Sequence, residues 1–218
     1  MPASLRGEGQ QETMESNQQR PDSRETAGQW QLRDLKGPVL AAIQVGAVLV
    51  FGVAFVVGVA LRGLLRGTPG MSVSVDSITP VLILLGSIVG ILVLHEAIHA
   101  VLFMLYGGKV RFGVKLIGRF LPVAYATSTV QMPRNRYLVV CLGPFVLLTA
   151  ILLPIGVLAQ SDITATFALL LMALNAGGSV GDLVQARVLL RYDRGTLFQD
   201  TEDGFNWRRL GERVTGDE

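Results

Sequence analysis

The sequence predicts an all-α membrane protein of about four transmembrane helices, with a small β-hairpin in its central cytoplasmic segment. Three observations predict it. Half of the 218 residues are apolar and only 17% are charged, with a mean hydropathy of +0.46, too hydrophobic for an ordinary soluble domain of this length. Residues 38–61, 79–106, 137–159 and 163–190 each supply the roughly 20 mostly apolar residues that a hydrocarbon core requires. Of the 19 Lys and Arg, 17 gather in the segments that flank these stretches on one side.

Residues 1–37 are polar, rich in Gln, Glu, Arg and Ser, and read as a disordered tail without a cleavable signal peptide. Trp30, shortly before the first span, is either an interfacial anchor or an idle tail aromatic. Residues 38–190 form the four-helix membrane domain. Its first and third spans hold no acid or base, whereas the second carries His95-Glu96-Ala97-Ile98-His99. The fourth changes character halfway, from an apolar run to Asn175-Ala-Gly-Gly-Ser-Val-Gly-Asp182.

Between the second and third spans lies a β-prone segment, 107–134. Lys109 to Leu116 alternates basic and apolar residues, a second run covers Val123 to Met132, and Pro122 and Pro133 bound it, which predicts a hairpin or two short strands at the membrane surface. An unpaired edge there could take an unwound peptide by strand addition; the alternative is an amphipathic surface loop anchored by snorkelling Lys and Arg. Residues 191–218 form a charged tail with too few apolar residues for a separate core.

The five Lys/Arg of the first tail, six between the second and third spans and six from Arg187 onward make 17 of the chain's 19. With four spans all 17 fall on one side, so the positive-inside rule predicts a multi-pass integral membrane protein with both termini cytoplasmic. The same asymmetry accounts for the net charge of +2 better than a nucleic-acid partner does. Cys141 is the single cysteine, which excludes an internal disulfide framework and reads as a small packing residue.

The chemistry is carried by the only two histidines in the chain, four residues apart with a glutamate after the first. On a helix, positions i and i+4 share a face, so His95 and His99 can reach one Zn²⁺ while Glu96 stands beside it as a general base. A catalytic zinc site takes three protein ligands. Between Lys36 and Asp193 the acids are Asp76, Glu96, Asp162 and Asp182; Asp76 and Asp162 fall in the outer loops, which leaves Asp182. Depth agrees, since His95 and His99 lie 16 and 20 residues after Thr79 and Asp182 lies 19 after Ile163, a match within about a turn at about 1.5 Å per residue. The alternative for Asp182 is an interfacial acid paired with Arg187. Gly177, Gly178 and Gly181, with Gly86 and Gly90 in the second span, would let the helix backbones approach closely. Asn175 is a candidate for a hydrogen bond to substrate or to an oxyanion, or else bonds another helix.

With HEAIH late in a transmembrane helix, a basic β-prone segment after it, Leu142-Gly143-Pro144 opening the next helix and the Asn175 to Asp182 run, the chain resembles the membrane-embedded putative zincin peptidases, a family distantly similar to site-2 proteases. The resemblance covers roughly Ile78 to Asp200. It implies His95, His99 and Asp182 as zinc ligands and Glu96 as the general base that activates water and then protonates the leaving amine. The proline and glycine of the Asn…Leu-Asp-Gly pattern typical of site-2 proteases are absent around Asp182. The expected function is therefore hydrolysis of peptide bonds in membrane-embedded or membrane-adjacent substrates, with membrane lipid as the surrounding partner. Two other readings are a catalytically silent membrane protein with a structural or regulatory metal site, and a metal-ion carrier, which one cluster of ligands suits poorly.

Overall fold

Each long helix ends where its sequence stops it. In the computed structural model, which describes residues 26–35, 37–67, 71–72, 77–117, 121–202 and 204–209, α1 (Gly37–Arg66) has Pro38 in its first turn, where a fixed φ and a missing N–H cost nothing. It closes on Gly67, whose φ of +67° favours glycine and whose amide bonds the Gly63 carbonyl at 3.0 Å. α2 (Thr79–Leu105) repeats the pattern, with Pro80 at its start and Gly107 at φ +82° after its end. α3 (Arg134–Leu158) keeps Pro144 and Pro154 inside. α4 (Asp162–Gly178) is capped by Ser161, whose hydroxyl accepts from the Thr164 amide.

α5 (Val180–Leu189) is set at 42° to α4. The Ser179 hydroxyl donates to the Asn175 carbonyl at 2.8 Å, directly after Gly177-Gly178, and a back-bonding serine beside paired glycines is a recognised cause of a bend. Among the described residues, three helices, α1, α2 and α3, are long and apolar enough to cross a membrane, and the bent pair α4–α5 makes a fourth if it is one span.

α4 packs against α1, α2 and α3, and small residues set the spacing. A Cβ on Gly58 or Gly156 would strike Leu169 of α4, and one on Gly177 would strike the Ala47 carbonyl and Phe51 of α1. Gly177 thus brings α4 to α1, not to the histidine helix as expected. A Cβ on Gly178, Gly181, Gly86 or Gly90 would meet nothing within 4 Å, so the expected close approach through these four is not made.

At the far end of the bundle Arg62 is buried, with its Nη1 donating to the Gly156, Val157 and Ala159 carbonyls at 3.3, 3.3 and 2.7 Å and its Nη2 to Asp162 at 2.8 Å. Arg66 donates to the Leu158 carbonyl and the Gln160 side chain. These are the two basic residues outside the charge pattern, and both serve as C-terminal caps for α3.

The central segment forms the expected hairpin, β2 (Val110–Ile117) and β3 (Leu121–Ser128), paired antiparallel. A second sheet was not expected. β1 (Thr26–Gln31), β4 (Gln131–Pro133), β5 (Leu197–Thr201) and β6 (Gly204–Arg209) pair in the order β1-β6-β5-β4. The fold is therefore mostly helical rather than all-α. Both tails contribute: residues 26–34 of the segment expected to be disordered form β1 and a short 3₁₀ turn, and Phe198 and Phe205 of the charged C-terminal segment are fully buried. The tails need no separate core, because these rings join Phe103, Tyr137, Val140 and Leu189 of the helices. Trp30 is not idle; it stacks on Phe205 with centroids 5.4 Å apart. Residues 1–25, Lys36, Asp76 and the tail from 210 onward, with the expectations placed on them, lie outside the described residues.

Candidate metal centre

α2 places His95 and His99 one turn apart and α5 brings Asp182 against them. Asp182 Oδ2 lies 3.2 Å from His95 Nε2 and 3.7 Å from His99 Nε2, and the histidine side chains are 12% and 11% exposed. Asp182 thus pairs with the histidines and not with Arg187.

The opposite nitrogen of each ring is occupied. His99 Nδ1 lies 2.9 Å from the Val140 carbonyl, which can only accept, so Nδ1 carries the proton. His95 Nδ1 lies 3.0 Å from Asn175 Oδ1. The Asn175 Nδ2 donates to the Pro144 carbonyl at 3.4 Å, which fixes the amide with its oxygen toward His95, and again Nδ1 donates. In the neutral rings both Nε2 atoms then hold lone pairs directed at a carboxylate oxygen. Three electron-rich atoms within 4.8 Å of one another repel unless a proton or a metal cation lies between.

The donor set fits zinc. Tetrahedral bonds of about 2.0–2.1 Å place neighbouring donors about 3.3 Å apart, close to the distances seen here. Each histidine is also oriented through its second nitrogen, as metal-binding histidines are.

Pro144 supplies one of these supports. A proline has no N–H, so the carbonyl one turn earlier, that of Val140, is free of its helical partner and is taken by His99. The neighbouring Gly143 lets the helices meet at this level, since a Cβ there would strike Leu102 of α2. Asn175, a candidate for contact with substrate or oxyanion, or for a bond to another helix, bonds His95 of α2 and the Pro144 carbonyl of α3, with both ends of its amide engaged.

Glu96 lines the cavity beside the histidines, outside the group of three, and the Ala126 backbone amide faces its carboxylate. Cys141 lines the same cavity from within the core and takes no part in the donor group. The cavity, about 250 Å³, is walled by α2 and α5, by Tyr125, Ala126 and Thr127 of β3, and by Trp30, Asp200, Thr201 and Gly204 of the four-stranded sheet. The sheet residues, Tyr137 and the Val140 carbonyl were missed from sequence. Pro144 four residues after Val140 was the legible signal for the last.

No curated protein and no solved structure matches the chain. Residues 88–197, just over half of the chain, match a family model described as "Putative zincin peptidase", a segment that holds all four of His95, Glu96, His99 and Asp182. The chain belongs to that zincin-peptidase family.

Proposed function

We propose that the protein is an integral-membrane zinc metallopeptidase that cleaves a peptide bond in a membrane-embedded or membrane-adjacent segment. The observation that carries the reading is the convergence of His95, His99 and Asp182 with both histidine Nδ1 atoms already donating. His95, His99 and Asp182 would hold the ion. A zinc ion in such a site lowers the pKa of water and polarises a carbonyl.

The remaining chemistry belongs to Glu96. Its carboxylate stands in the cavity but outside the donor group, so it is free to take a proton from the attacking water and return it to the departing amine.

Substrate approach is supported by β3. Tyr125 to Thr127 line the cavity, and among the described residues β3 pairs only with β2. A peptide in extended form adds to the free edge of β3, which brings its backbone past Glu96 and exposes bonds that a helix would hide.

The membrane setting and the orientation rest on the apolar spans and on the sheet. β1 precedes α1, β4 precedes α3 and β5 follows α5, yet all three share one sheet with β6, which supports both termini lying on the side where α2 ends. Basic residue placement makes that side cytoplasmic.

The test is Glu96→Gln in the detergent-purified protein, assayed on a library of membrane-adjacent peptides. The variant should bind zinc as the wild type does and lose cleavage by at least about 100-fold. Cleavage at the wild-type rate would remove Glu96 from the mechanism, and a wild type that binds zinc but cleaves nothing would favour a silent metal site.

A further inference from the structure

α5 is a separate helix of 10 residues, bent away from α4, so the direction of the Asp182 carboxylate is not inherited from a long span. Val180, Ala186 and Leu189 seat its apolar side in the core. Gln185, one turn beyond Asp182, faces the cavity and is held by polar contacts. Its Nε2 donates to the Tyr137 hydroxyl at 2.6 Å and lies 3.5 Å from the Gly204 carbonyl. The same hydroxyl donates to Asp200 of β5, so it has a donor on one side and an acceptor on the other.

Tyr137 cannot shift to follow them. It is 1% exposed, and its ring is packed among Phe103, Phe198 and Phe205 with centroids 6.0–6.4 Å away. A roll of α5 by about 10° would move a side-chain tip about 5–6 Å from the helix axis by about 1 Å. Errors of that size are enough to spoil a ligand set.

We propose that Tyr137 is a positioning residue for the metal centre: held between Gln185 and Asp200, it fixes the roll of α5 and so keeps Asp182 aimed at His95 and His99. Asp200 and Gly204 lie beyond the segment matched by the family model, which ends at 197. The C-terminal hairpin of this chain therefore completes the support of a ligand that the family segment supplies. This inference rests on the metal reading of the three ligands.

Cobalt(II) titration of the full chain in detergent tests it, with affinity and the visible d–d spectrum read together and thermal melting alongside. Tyr137→Phe keeps the ring and its packing and removes only the hydroxyl; Gln185→Met keeps length and removes the donor. Both should take up one Co²⁺ about tenfold more weakly than wild type, with shifted d–d bands. Asp200→Asn, which still offers the phenol an oxygen, should retain near wild-type binding and spectrum. Wild-type affinity and spectrum in both Tyr137→Phe and Gln185→Met, even with a lowered melting temperature, would reduce Tyr137 to a packing residue and overturn the proposal. A wild type that binds no cobalt would overturn the metal reading, and this inference with it.

Discussion

Val140 and Pro144 stand one helical turn apart on α3, and the proline leaves the valine carbonyl without a helical partner, so that it accepts a hydrogen bond from His99 Nδ1 at 2.9 Å instead. A defect in the backbone ladder of one helix thereby orients a side chain of another. Pro144→Ala returns an N–H that competes for the Val140 carbonyl. The expected result is zinc affinity weakened by about tenfold with helicity unchanged, read by competition against a chromophoric chelator and by circular dichroism. Unchanged affinity would mean that His99 does not depend on this carbonyl.

Asn175 offers a sharper distinction, because its two candidate roles fail differently. As a partner of His95 it supports the metal, so Asn175→Ala should weaken zinc binding by about 10–100-fold. As a group that touched substrate it would instead leave zinc affinity intact and lower turnover alone. Parallel measurement of metal affinity and of peptide cleavage decides between them.

Arg62 lies at the opposite end of the bundle and should affect stability without affecting the centre. Arg62→Ala strips three carbonyls at the end of α3 and the Asp162 carboxylate of their donor. Buried acceptors left unpaired cost about 1–3 kcal/mol each at most, so the thermal midpoint of the detergent-solubilised protein should fall while zinc affinity stays at the wild-type value. A loss of zinc at temperatures where the fold persists would show coupling between the two ends that the contacts do not contain.

The sequence made the helices and the histidine pair legible because both are local signals. Length and hydropathy mark a possible span within about 20 residues, and the i, i+4 spacing of His95 and His99 needs nothing beyond one helix. Asp182 was reached by elimination among four acids, a route open only because the spans hold so few. The four-stranded sheet was hidden for the opposite reason. β1 reads Thr-Ala-Gly-Gln-Trp-Gln, with little β-branched character, and its pairing of Thr26 with Arg209 spans nearly the whole chain. Local periodicity cannot register such a contact. Phe198 and Phe205 lie in a tail too poor in apolar residues for its own core, and the surface that buries them belongs to the helices. Gly178 and Gly181 were misassigned because a small residue beside a cavity and a small residue at a helix contact look alike in sequence.

The central claim is that His95, His99 and Asp182 form one zinc site served by Glu96. Elemental analysis of the detergent-purified, zinc-equilibrated protein tests it most directly, with wild type beside His95→Ala, Asp182→Ala and Glu96→Gln. The account predicts about one zinc per chain in wild type and in Glu96→Gln, and little or none in the other two. A folded wild type without zinc, or an Asp182→Ala variant that holds zinc as tightly as wild type, would contradict it.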